Sequence, residues 1–156
     1  MHGPLRVVSR SISYCRIEAA AVLDAKGRLS AFLFEHLGEY GDPLEHIEAC
    51  LDYVIDPGRG GAVFVAECGG ELAGVVVLNA TGMSGYIPEF ILVYIAVDGE
   101  LRGRGVGAEL MRLALSSVHG AVALHVEPHN PARRLYERLG FESKYLEMRI
   151  EQNRLA

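Results

Sequence analysis

The sequence predicts an α+β fold, a mixed sheet with helices on both faces, and three observations carry that reading. The run Phe90 to Val97, after Glu89, is apolar without alternation and rich in β-branched and aromatic residues, the mark of a central strand covered on both sides. A turn with three glycines and two arginines follows it, Leu101 to Ala108, and opens a segment in which Val106, Leu110, Leu113, Ala114 and Ser117 recur at helical spacing. Upstream, Gly61 to Glu67 and Glu71 to Asn79 read as strands joined across Cys68-Gly69-Gly70, a tight hairpin.

The remaining elements fall in order around these. Leu5 to Ile12 reads as a first strand. One helix lies within Ile17 to Leu37. A second starts after Asp42-Pro43, with Asp42 as cap and Pro43 in the first helical position, and stops before Pro57. The helix after the glycine turn spans Val106 to Val118. Ala121 to Val126 is the next strand, then a helix bearing Tyr136, then a last strand around Phe141 to Ile150.

Length and composition limit the class. With 156 residues, half of them apolar, the chain is expected to form one domain over residues 1–156. No apolar run approaches the roughly eighteen residues of a membrane span. The opening Met-His-Gly-Pro-Leu-Arg lacks the apolar core of a signal peptide, which predicts a cytoplasmic protein. Cys15, Cys50 and Cys68 are odd in number and lack metal spacing, and the six histidines show no ligand pattern, so neither disulfides nor a metal are expected. A net charge of −5 argues against a nucleic-acid surface.

The chemistry concentrates in the glycine turn. Glycines let successive N–H groups approach an anion where a helix begins, and the helix dipole adds to the attraction. Gly103, Gly105 and Ala108 also satisfy a dinucleotide-binding fingerprint, with Glu127 about twenty residues on, which would make the chain an NAD(P)-dependent oxidoreductase. Against this, Asp98 to Arg102 separates the strand from the first glycine, and too little chain remains for a doubly wound sheet.

Further on stands Ala132-Arg133-Arg134-Leu135-Tyr136-Glu137-Arg138-Leu139-Gly140-Phe141. Here the sequence resembles the GNAT superfamily of acetyl-CoA-dependent N-acetyltransferases. Arg102-x-x-Gly105-x-Gly107 matches that family's pyrophosphate loop, and the segment ending in Gly140-Phe141 matches its second signature, a helix bearing a tyrosine. The resemblance spans about Val63 to Met148. It implies a mostly antiparallel twisted sheet of six to seven strands.

The resemblance also implies acetyl-CoA as co-substrate and a small-molecule or peptide amine as acceptor. Ile95, Ala96 and Val97 would pair with the pantetheine arm through their backbone. Turn residues Gly103, Arg104, Gly105, Val106, Gly107 and Ala108 would hold the pyrophosphate, with charge from Arg102 and Arg104. An oxyanion would meet a backbone N–H near Val97. Tyr136 stands where the family keeps the acid that protonates the CoA thiolate; the plain alternative is an aromatic that packs its helix. His129 occupies the place of the family's usual asparagine and Asn130 follows it, so either meets pantetheine or both cap the helix. Arg133 and Arg134 reach the CoA 3′-phosphate or are merely solvated.

The family's base position falls on Ile91. Glu89, two residues earlier and on the same strand face, is the nearest candidate base, against a solvated carboxylate at a strand start. Between Asp24 and Asp56 stand eight acidic residues against Lys26 and Arg28. The family's acceptor side lies near its first two helices, so this segment suits a cationic acceptor or is a solvated surface. The loop Thr81 to Pro88 borders the same side. A catalytically silent CoA-binding module and a homodimer are the further expectations.

Overall fold

The computed structural model describes residues 11–152. Residues 11–124 form one compact unit and residues 125–152 another. The first strand, β1, runs Ile12–Ile17. The expected strand Leu5 to Ile12 lies outside the described residues except at its end. Then come α1 (Ala19–Leu37), α2 (Leu44–Ile55), β2 (Gly61–Cys68), β3 (Glu71–Ala80), β4 (Phe90–Val97), α3 (Val106–Ser116) and β5 (Val122–Leu124), with α4 (Arg133–Arg138) in the second unit.

The sheet has five strands in the order β1-β2-β3-β4-β5, antiparallel throughout except for the parallel pair β4–β5. This excludes the doubly wound parallel sheet that the dinucleotide reading requires. Gly69 and Gly70, with φ of 60° and 83°, make the hairpin between β2 and β3, since a two-residue turn of this kind needs positive φ at both positions.

Alternate residues of β2 and β3 bury two cores. Val63, Val65, Val75 and Val77 meet Leu29, Leu33, Ile47 and Leu51 of α1 and α2, joined by Tyr94 and Ala96 of β4. The opposite face buries Phe64, Val76 and Leu78, and α3 contributes Val106, Leu110, Met111 and Ala114 to the buried set. β3, buried continuously from Leu72 to Leu78, is the doubly covered strand. β4, expected in that role, alternates instead: Leu92, Tyr94 and Ala96 are buried, whereas Ile91, Val93, Ile95 and Val97 stay partly accessible. The physical reason is that β4 has a strand partner along its whole length on one side only.

Four sequence expectations need correction. Among the described residues the sheet has five strands, where six to seven were expected. No strand forms between Phe141 and Ile150 among the described residues; Tyr145, Leu146, Met148 and Ile150 are 80–89% exposed. Alternation supplies β propensity, but a strand exists only where a neighbour completes its ladder. Asp42 does not cap α2. Pro43 holds the cap position, and the Asp42 carboxylate accepts the Tyr94 hydroxyl at 2.7 Å. β5 covers only Val122–Leu124 of the expected Ala121 to Val126.

Gly74 seats α3. A Cβ at this position would lie 2.6 Å from Leu110 Cδ1 and 3.3 Å from Val106 Cγ1, so the helix rests on a bare stretch of β3. Replacing Gly74 by Val should lower the unfolding free energy by about 2 kcal/mol, the usual scale of core overpacking. Urea denaturation tests this; an unchanged midpoint would show that α3 does not depend on the seat.

Candidate active site

β4 pairs with β5 only over Phe90–Leu92, opposite Val122–Leu124. From Val93 onward no strand pairs with its outer edge among the described residues. Val93 is itself an extra residue against β3, because Val77 faces Tyr94 while Leu78 faces Leu92. A bulge of this kind bends and twists the strand locally. Beyond it, Asp98 N–H donates to the Ala73 carbonyl at 2.9 Å. By antiparallel alternation Ala96 also turns its backbone groups toward β3, and those of Ile95 and Val97 face the outer edge. Of the three residues expected to pair with a pantetheine arm, Ile95 and Val97 present their amides outward and Ala96 does not.

The strand ends in a tight connection. Asp98 caps a short 3-10 turn, Gly99–Leu101, by accepting Glu100 N–H at 2.9 Å. Gly103 and Gly105 both have φ of 80°, a region costly for other residues, and Gly105 is the residue before α3. The first bond of the helix runs from Glu109 N–H to the Gly105 carbonyl at 3.1 Å, and no side chain caps the end. The N–H groups of Val106, Gly107 and Ala108 therefore lack helical partners. Three adjacent donors at the positive end of an 11-residue helix form an anion-binding surface.

The two arginines of the turn have different settings. Arg102 donates from Nη2 to the His36 carbonyl at 2.8 Å, at the end of α1, so it braces the turn. Arg104 is exposed beside the free amides.

Glu89 lies at the opposite end of β4, where β5 joins. One carboxylate oxygen accepts Ala121 N–H at the start of β5, and the other accepts Gly85 N–H at 3.2 Å. The bond from Ala121, then that from its own amide, then that from Gly85 hold its pKa below the ordinary value. Gly120 makes room for the carboxylate: its φ is 98°, and a Cβ there would overlap Glu89. A carboxylate held in this way is a weakened base and a strong tether.

In the second unit, Asn130 Oδ1 accepts Ala132 N–H at 2.9 Å, and Arg133 N–H donates to the Asn130 carbonyl at 3.1 Å. Asn130 thus makes a side-chain turn just ahead of α4, whose cap position is Ala132 and carries no side-chain cap, while His129 Nε2 lies 3.2 Å from Glu127. Arg133 pairs with Glu137 at 2.7 Å. Arg133, Arg134, His129 and Asn130 line a pocket of about 580 Å³. Tyr136 is buried, its ring edge-on to Phe141 with centroids 5.9 Å apart, and burial pushes its phenol up to about 12. No buried side-chain oxygen or nitrogen among the described residues lacks a partner.

The model of the acetyltransferase (GNAT) domain family matches residues 59–143, more than half of the chain. The protein belongs to the GNAT acetyltransferase family. By that membership it is an acyltransferase. The fold is shared with the ribosomal-protein-alanine N-acetyltransferase of Brucella melitensis biovar Abortus 2308 (TM-score 0.65, 16% identity, 91% of this chain and 99% of that one). It is shared equally with the aminoglycoside N-acetyltransferase AAC(6′)-Iy, solved with CoA (TM-score 0.62, 18% identity, 97% and 100%). An integron cassette protein from the mobile metagenome of V. cholerae is similar at TM-score 0.64 and 19% identity over 92% and 94%. No curated protein sequence matches significantly. No helix is long and apolar enough to cross a membrane among the described residues.

Sequence reasoning missed Gly74, Gly120 and His36. Each acts through a partner distant in sequence, and a lone glycine or histidine names no partner.

The Glu89 tether has a pH signature. Its folded pKa is depressed, so its contribution to stability is present above the ordinary value of 4.5 and is lost as pH falls through the lower folded value. Glu89→Gln should lower Tm at neutral pH, and the gap to wild type should close on acidification below 4.5. Equal Tm values across the whole range would remove Glu89 from the β4–β5 junction.

Proposed function

We propose that the protein is an N-acetyltransferase that moves an acetyl group from acetyl-CoA to a primary amine, with both substrates bound together. The observation that carries this reading is the outer edge of β4, whose outward amides at Ile95 and Val97 lead directly into the free N–H groups at the start of α3. An extended chain bearing amide groups suits the strand edge, and a pyrophosphate suits the helix start. Val106, Gly107 and Ala108 would bind the phosphates through their backbone, with charge supplied by Arg104. The pocket lined by Arg133 and Arg134 suits the remaining phosphate.

The thioester of acetyl-CoA supplies an activated acyl group. A neutral amine attacks the carbonyl carbon, the C–N bond forms, the C–S bond breaks, and the carbonyl oxygen is stabilised by an outward N–H of β4. The amine nitrogen loses its proton to solvent, since Glu89 is committed to backbone donors. The thiolate takes its proton from Tyr136. A phenol raised to about 12 stays protonated at neutral pH and is a weak acid, so it serves first as a hydrogen-bond donor to the developing thiolate.

Three of the eight carboxylates between Asp24 and Asp56 are engaged within the fold and are not free to choose an acceptor. Asp42 is bonded to Tyr94, Asp52 pairs with Lys26 at 2.7 Å and Asp56 with Arg59 at 3.8 Å. The similar structures include enzymes named for ribosomal-protein alanine and for an aminoglycoside at nearly equal likeness.

CoA and acetyl-CoA should raise Tm, whereas NAD and NADP should not; at about 100 times Kd the stabilisation is about 2.7 kcal/mol. A shift with the nicotinamide nucleotides alone would overturn the reading. With an amine acceptor found by following thiol release, Tyr136→Phe should lower kcat about tenfold or more with CoA affinity unchanged. An unaltered kcat would remove Tyr136 from the mechanism, and CoA binding without thiol release from any amine would leave a binding module only.

A further inference from the structure

The turn that feeds the anion-binding end of α3 is held from outside by a single residue, His36, in the last turn of α1. Its Nδ1 accepts Gly99 N–H at 3.3 Å, and its main-chain carbonyl accepts Arg102 at 2.8 Å. The ring packs on Phe32 with centroids 4.5 Å apart, and Nε2 lies 3.7 Å from Glu35. An Nδ1 that accepts leaves the proton of the neutral ring on Nε2, the atom that faces the carboxylate. Both bonds fall on the connection between β4 and Gly103, which is the stretch that aims the free amides.

Resting on the coenzyme reading above, we propose that His36 is a positioning residue for coenzyme binding, and that it performs this role only as the neutral imidazole. Protonation turns Nδ1 from acceptor to donor, so the Gly99 N–H loses its partner and faces a like donor. The ring borders a cavity of about 660 Å³, through which protons reach it. The charged groups around it are Arg28 and Glu35 of α1, Glu71 of β3, Asp98 and Glu100 of the connection, and Arg102. The carboxylates outnumber the arginines and do not replace the acceptor that Gly99 needs. His36 touches no reacting atom, so its effect is expected in coenzyme affinity and KM rather than in kcat.

Isothermal titration of CoA into the full chain between pH 8.5 and 5.5 tests the proposal, comparing wild type with His36→Gln and His36→Ala. Glutamine keeps an acceptor and does not titrate. The wild type should lose about fivefold more CoA affinity on acidification than His36→Gln, the scale of one hydrogen bond. At pH 8.5 His36→Gln should match wild type within about twofold, and His36→Ala should bind several-fold more weakly. Ionisation of CoA itself is common to all three proteins and cancels in the comparison. Parallel pH profiles for wild type and His36→Gln would overturn the proposal while leaving the coenzyme reading intact. Absence of CoA binding by wild type at every pH would overturn both. Should His36→Ala fail to fold, the comparison of wild type with His36→Gln decides the matter alone.

Discussion

The structure depends on one constraint: β4 is paired on its outer side for three residues and then no longer. Everything that makes the chain a candidate enzyme follows from where that pairing stops. A strand with partners on both sides along its whole length has no backbone group left for a ligand. A strand with no outer partner would be an edge, exposed to aggregation. The chain lies between these limits. Glu89, seated because Gly120 lacks a side chain, ties β4 to the start of β5 at one end. The bulge at Val93 turns the strand where the pairing ends.

That arrangement explains an apparent contradiction in β4. Its sequence is apolar at nearly every position, which ordinarily means burial on both faces. In the fold, residues on one face are buried against α1 and α2, while Ile95 and Val97 remain accessible beside the outer edge. The apolar character of the second face then leaves partly accessible apolar side chains beside an unpaired strand edge. An extended ligand laid along this edge would meet amides from the backbone and apolar contact from the side chains.

How much of this was legible beforehand depended on the range of the interactions. The hairpin at Gly69-Gly70 and the helix starting at Val106 after a glycine turn are local, and periodicity and turn chemistry revealed them. The last strand was read from alternation in Tyr145 to Ile150, and alternation does not say whether a neighbouring ladder exists. Asp42 had the residue type and spacing of a cap, yet Tyr94, 52 residues away, claims its carboxylate. Arg102 looked like a phosphate ligand by motif and is a brace by contact, because the end of α1 lies beside the turn. Glu89 was considered as a base on its position, and its backbone donors make it a tether. In each case the residue type was informative, and the partner that fixes its role was set by topology.

The division of labour between backbone and side chains bears on what the fold leaves undetermined. On the proposed reading, the coenzyme would meet mainly main-chain N–H groups at Ile95, Val97 and the start of α3. Such groups tolerate sequence change as long as the strand edge, the positive-φ glycines and the helix start are kept. This is consistent with a fold shared at 16–18% identity with enzymes named for ribosomal-protein alanine and for an aminoglycoside. Acceptor choice must instead rest on side chains, and those nearest in the sequence to the edge, Tyr94 with Asp42, are already joined to each other.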